Sequence, residues 1–157
     1  MRRRLLLALA LLVTLAPLAP AEAGVTRTVS ATDPTCGGAS PCSTTIQAAI
    51  TAAQAGDTIR ILPGTYVEQL SLSGVNSAAT TEADRIVIEI DPAAPVGSVV
   101  LTPPTTQCTN GHGVRFQQSK FITLRGLTIT GAGGQAISLM GGNNQDRKST
   151  RLNSSHT

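Results

Sequence analysis

Tryptophan is absent from this chain of 157 residues, tyrosine occurs once and phenylalanine twice. With so few rings, an aromatic platform for a ligand reduces to Tyr66, and a lone aromatic after the Pro63-Gly64 turn reads as packing rather than as a sugar-stacking surface. Outside the C-terminal tail the only histidine is His112, set in the turn signal Asn110-Gly111-His112-Gly113 and expected at the surface rather than as a ligand or base. Three cysteines with no second Cys or His pair do not make a zinc knuckle. The apolar run from Leu5 to Leu15 falls short of the roughly 20 residues a membrane span needs. A basic surface is missing too. Of twelve Lys and Arg, three stand at 2–4 and three at 147–151, leaving Arg27, Arg60, Arg85, Arg115, Lys120 and Arg125 against Asp33, Asp57, Glu68, Glu82, Asp84, Glu89 and Asp91. Six against seven is near neutral, so the formal charge of +3 carries no case for a nucleic-acid partner or a membrane surface.

The two ends account for the remaining charge. Met1 to Ala23 opens on Arg2, Arg3 and Arg4, continues through the apolar run and leaves through Ala21-Glu22-Ala23, which predicts a secretory signal peptide over residues 1–23. No Ser-Arg-Arg context surrounds the arginines, which points to the general export route. No cysteine stands directly after the cleavage point, which removes a lipoprotein anchor. The mature chain is expected to be secreted, periplasmic or at the cell surface, without stable membrane insertion. Residues 146–157 have no apolar pattern. From Asp146 to His156 they match, codon by codon, the translation of a common sequencing adapter; a basic tail for an anionic partner is the competing reading. They are expected to be a non-native tail on a protein interrupted at about Gln145, and the formal sequon Asn153-Ser154-Ser155 falls with them.

Between the ends, Thr44 and Gln47 stand three apart, as a reciprocal capping pair requires. Ile46, Ala49, Ile50 and Ala53 follow at i, i+3, i+4 and i+7 and make one narrow apolar stripe. Gly56 is placed for a left-handed cap, and Ile59, Ile61, Leu70 and Leu72 switch the period from helical to two. On periodicity alone this is a helix delivered into a sheet, as in any mixed fold.

The segments Thr45-Ile46-Gln47-Ala48-Ala49-Ile50, Ala55-Gly56-Asp57-Thr58-Ile59 and Pro63-Gly64-Thr65-Tyr66-Val67-Glu68 together resemble the N-terminal start of right-handed parallel β-helix proteins of the pectate-lyase-like superfamily. The resemblance implies a short amphipathic helix capping the open end of a coil. It covers about a fifth of the chain and names a scaffold rather than an activity, since this scaffold carries lyases, hydrolases, isomerases and non-catalytic surface proteins.

Cys36 and Cys42 bracket the flexible stretch Gly37-Gly38-Ala39-Ser40-Pro41 and are expected to form a disulfide before the helix, while Cys108 is left over. Beyond the helix, short β-branched runs alternate with Gly, Pro, Ser, Thr and Asn in a repeating rhythm that suits stacked aliphatic ladders. One inward column is expected from Ile59/Ile61, Ile86/Ile88, Val114/Phe116 and Ile137/Leu139. A second is expected from Leu70/Leu72, Val99/Leu101 and Ile122/Leu124, and Leu127-Thr128-Ile129 suggests a third strand between the turns at Gly126 and Gly131.

The expected architecture is therefore all-β: a right-handed parallel β-helix with a short N-terminal capping helix, interrupted after about three to four rungs. Residues 24–43 form the disulfide-bearing N-terminal segment and 44–145 the helix and first rungs. Chemistry on such a scaffold comes from columns of outward residues. Glu89 and Asp91 on one face, with Arg115 diagonal on the next rung, read as a surface ion pair rather than a site. Asp57 is expected to fix the helix-to-strand turn through its side chain, and Gly131-Ala132-Gly133-Gly134 to form a corner, lacking the context of a phosphate loop. No residue is assigned a catalytic, cofactor-binding or metal-binding role. Two functions stand side by side: a carbohydrate-active or carbohydrate-binding protein similar to polysaccharide lyases, with extracellular polysaccharide as partner, and a non-catalytic secreted repeat protein acting as adhesin or spacer.

Overall fold

The computed structural model of the protein describes residues 24–104 and 111–140, together with the backbone of 147–150 and 153–155. The expected signal peptide and Cys108 lie outside the described residues. The described residues are β-rich, with one α-helix and short strands, all paired in parallel. Strand β1 (Thr26–Val29) and the two-residue β2 (Cys42–Ser43) precede helix α1 (Ile46–Ala52). Three sets of three strands follow: β3 (Thr58–Ile61), β4 (Gly64–Tyr66) and β5 (Leu70–Ser73); β6 (Ile86–Ile90), β7 (Val99–Leu101) and β8 (Val114–Gln117); β9 (Ile122–Arg125), β10 (Thr128–Thr130) and β11 (Ile137–Met140). The backbone then adds β12 (Arg147–Thr150) and β13 (Asn153–Ser155).

From β3 onward each strand up to β10 pairs with the strand three further along. A first sheet runs β2-β1-β3-β6-β9-β12, a second β4-β7-β10-β13 and a third β5-β8-β11. Alternation decides which residues meet inside, because successive side chains on a strand point to opposite faces. Ile59, Ile88 and Leu124 align on the first sheet, Tyr66, Leu101 and Ile129 on the second, and Leu72, Phe116 and Leu139 on the third. All of these except Leu139 are buried in one continuous aliphatic core. Gly126 marks a corner where only glycine fits: its φ is +83°, and a Cβ there would lie 2.8 Å from Cγ1 of Ile90.

These registers correct the expected columns. Ile59/Ile61 do share a sheet with Ile86/Ile88, but Val114/Phe116 and Ile137/Leu139 belong with Leu70/Leu72 on the third sheet. Val99/Leu101 lie on the second sheet and Ile122/Leu124 on the first. The cause is a miscount of strands per circuit: Gly64-Thr65-Tyr66, standing behind Pro63, reads as a turn yet forms β4.

Helix α1 lies against β1, β2, β3 and β5 with Ile46, Ala49 and Ile50 buried, as its apolar stripe requires. Its cap differs from the expected one. Thr45, not Thr44, is the N-cap, its hydroxyl oxygen accepting from the Ala48 amide at 3.2 Å. Gln47 does not reach back to the helix start; its amide pairs with the backbone of edge strand β5, accepting from Ser71 N–H at 2.7 Å and donating to Ser71 C=O at 3.2 Å. The first-turn amides of Ile46 and Gln47 go instead to the Glu68 carboxylate, at 2.8 and 2.9 Å. The helix ends at Ala52 with an extended Ala53, so Gly56, at φ +85°, serves the following turn rather than the cap.

The expected disulfide between Cys36 and Cys42 is present. It ties the loop to β2, which pairs with β1 through Thr28 and Cys42 and covers the edge of the first sheet. Within the tail 146–157, expected to be unrelated to the repeat, residues 147–150 and 153–155 supply backbone strands on β9 and β10. Their register sets Arg147 opposite Ile122, Ser149 opposite Leu124 and Ser154 opposite Ile129.

Candidate functional site

The outward positions of the three sheets are where a ligand could be met. On the first sheet Thr28, Arg60, Glu89 and Arg125 form one column, and Thr26, Thr58, Val87 and Thr123 another. On the second, Thr65, Val100 and Thr128 align, with the Thr102 and Thr130 hydroxyls 3.3 Å apart. On the third, Ser71, Arg115 and Ser138 align, followed by Ser73, Gln117 and Met140.

Charge on the first sheet is largely matched within the protein. Arg125 Nε donates to Glu89 at 2.7 Å, and Arg85 donates to both oxygens of Glu82, at 2.8 and 2.9 Å, with its guanidinium over the Phe121 ring. The expected diagonal pair of Glu89 with Arg115 does not form, because Arg115 sits on the third sheet and Arg125 is the register partner of Glu89. Sequence reasoning missed Arg125 because it placed the Ile122–Leu124 run in the wrong column. Asp91 caps its own turn, accepting from Ala93 N–H at 2.7 Å.

Asp57 is as buried as the core, at 2% exposure, and does more than fix one turn. It accepts from Gln54 N–H at 2.9 Å, from Val25 N–H at 2.8 Å and from Arg27 Nε at 2.7 Å, joining β1 to the helix exit. Burial alone would raise its pKa; the hydrogen bonds from Gln54, Arg27 and Val25 and the Arg27 charge outweigh it and hold the carboxyl below the usual range. Donors from Thr35 and Gly37 lower Asp33, and donors from Thr80 and Thr81 lower Asp84. Each of the seven carboxylates from Asp33 to Asp91 thus accepts from a backbone amide or an arginine.

The remaining candidates divide cleanly. Tyr66 is buried, its hydroxyl 2.8 Å from the Leu62 carbonyl, and burial raises its pKa, so it packs inside the sheets and offers no face to a sugar. His112 is partly exposed at a corner, its carbonyl accepting from Gln69 Nε2 at 2.8 Å. Gly131 to Gly134 form the corner between β10 and β11. A shallow groove of about 440 Å³ runs between α1 and β5, lined by Gln47, Ile50, Thr51, Ser71, Ser73 and Val75. Among the described residues no group of three or more His, Cys, Asp or Glu could hold a metal ion.

Comparison with protein-family models, with curated proteins and with solved structures finds no match. The functional reading therefore rests on the faces themselves. They offer hydroxyl groups, of which those of Thr28, Thr123 and Ser138 are buried, the Gln117 amide, and one guanidinium, that of Arg115, on a sheet whose described outward positions include no acid. Such faces can hydrogen-bond along an extended chain. The described carboxylates, tied into turns, helix ends and ion pairs, are poorly placed for proton transfer.

Proposed function

We propose that the protein is an exported right-handed parallel β-helix, of the pectate-lyase-like kind, whose outward ladders bind an extended extracellular polysaccharide. The observation that carries the reading is the register: three parallel sheets in which each strand pairs three further on repeat outward polar groups every ~4.8 Å along the stack. A polymer laid along that axis meets a row of equivalent donors and acceptors. The handedness follows the general rule for parallel crossovers. The Cys36–Cys42 disulfide supports an oxidising compartment, and among the described residues no helix is long and apolar enough to cross a membrane.

A second reading, a non-catalytic adhesin or spacer, is favoured by the engagement of every carboxylate from Asp33 to Asp91 in hydrogen bonds within the protein. Affinity electrophoresis of the protein secreted from Gly24 through gels cast with neutral and acidic polysaccharides separates the two. Retardation by at least one polymer is the expected result. Unchanged mobility in every gel, for a sample with an intact β-type circular dichroism spectrum, would leave the spacer reading in place.

A further inference from the structure

At the end nearest α1 the sheets finish unequally. The first sheet runs on past β3 through β1 and β2, whereas the third stops at β5. Leu70 N–H and Gly74 N–H donate across the ladder to the Gly113 and Gln117 carbonyls, at 2.9 and 2.8 Å, so alternation turns the backbone groups of Ser71 and Ser73 to the open side of β5. The place beside Ser71 is taken by a side chain. Gln47, on α1, sets its amide against that one residue, Oε1 accepting from Ser71 N–H at 2.7 Å and Nε2 donating to Ser71 C=O at 3.2 Å. A primary amide bonded in this way offers the acceptor and the donor that the backbone of an added strand would offer. Ser73 is exposed, and among the described residues no partner bonds its open side. It opens onto the groove of about 440 Å³ between α1 and β5, whose lining carries no charged side chain.

We infer that this groove is a peptide-binding site, in which an extended, uncharged segment of a partner protein adds to β5 as a strand and Gln47 swings aside to free Ser71. The strand would flank α1 on the third sheet as β1 flanks it on the first. Main-chain hydrogen bonds from Ser71 and Ser73 hold it, and its alternate side chains rest against Ala53 and Val75 in the groove. A charged segment is disfavoured, because its charge would leave water for a lining with no counter-charge. A second copy of the chain fits worse. Pairing β5 with its own copy sets the strands about 4.8 Å apart, while each copy brings an α1 packed on β5, and two helices about 10 Å across do not fit side by side in that width. The site uses the backbone edge of β5, so it goes beyond the polysaccharide reading and does not depend on it.

The test uses the whole chain and its Gln47→Ala and Ser73→Pro variants, each checked by circular dichroism. The probe is a short capped peptide alternating threonine and valine. Its counterpart N-methylated at alternate residues keeps the side chains and cannot complete the ladder. Fluorescence anisotropy gives the affinities, and amide chemical shifts locate the binding. The peptide is expected to bind the parent and to shift the Ser71 and Ser73 amides. It should bind Gln47→Ala about tenfold more tightly, the scale of the two hydrogen bonds it no longer has to displace. It should bind Ser73→Pro about tenfold more weakly, since proline removes one edge donor and leaves the β8 ladder intact. The amide shifts are read in the parent, so the site is tested whether or not Ser73→Pro folds. Equal binding of the N-methylated peptide, shifts centred on another edge such as β4 or β11, or no tightening in Gln47→Ala overturns the inference. Self-association of Gln47→Ala without peptide binding also overturns it and makes Gln47 a guard against copies of this chain. A peptide with lysine in place of threonine, bound as tightly, overturns the uncharged class of ligand.

Discussion

Asp57 and Tyr66 show how buried polar groups here serve the fold rather than a ligand. Replacing Asp57 with Asn removes the charge that Arg27 answers, at a side chain 3% exposed. It should cost about 2–4 kcal/mol, within the range for breaking a buried pair from one side. Because the Asp57 pKa is lowered on folding, its contribution is complete above the unfolded carboxylate value and is lost as pH falls through the folded one. Asp33 and Asp84 shift in the same direction. Urea denaturation should therefore show stability falling from about pH 5 toward pH 2, with the gap between the parent protein and Asp57→Asn closing over that interval. A constant gap would mean that the carboxylate's charge is not what it contributes. Tyr66→Phe keeps the ring and removes the hydroxyl that meets the Leu62 carbonyl. A loss of about 1 kcal/mol with unchanged polysaccharide affinity is the expected result.

At the scale of the element, α1 is held by side chains that its own sequence does not announce. Glu68→Ala leaves the Ile46 and Gln47 amides without their acceptor, and a cost of about 1 kcal/mol is expected, the usual worth of an N-terminal cap. Faster hydrogen exchange should appear at those two amides. Thr44→Ala should be near neutral, whereas Thr45→Ala should cost a similar amount, since the hydroxyl oxygen of Thr45 caps Ala48. The helix was legible in the sequence because Ile46, Ala49 and Ile50 must face one way. The disulfide was legible because Cys36 and Cys42 bracket a loop short enough to close. Glu68 was not, since its partners stand twenty-odd residues earlier and meet it only through the turn at Asp57. The second strand of the first set was missed for a local reason: β4 begins at Gly64 behind a proline and carries one inward residue, Tyr66, too short for alternation to show. That miscount displaced the columns from β7 onward and with them the partner of Glu89.

For the whole molecule, parallel pairing carries the core from strand to strand, so the value of a segment depends on the apolar side chains it adds to the sheets. Ile88 stands between Ile59 and Leu124 and is wholly buried; Ile88→Ala should cost about 2–5 kcal/mol. Residues 147–150 and 153–155 occupy the next backbone position but bring different chemistry. Their register assigns Arg147, Ser149 and Ser154 to places where the preceding strands carry Ile122, Leu124 and Ile129. A parallel edge offers N–H and C=O groups to whatever segment follows, whereas aliphatic side chains alone extend the hydrophobic column. Deleting residues 146–157 should therefore leave the unfolding free energy in urea within about 0.5 kcal/mol of the parent, the scale of a change that takes no aliphatic side chain out of the columns. A loss of several kcal/mol would show that these residues form a genuine rung and would overturn their reading as a non-native tail. The same deletion should leave amide hydrogen exchange across β5, β8 and β11 unaltered, because among the described residues the third sheet ends at β11 and takes no strand from 147–150 or 153–155.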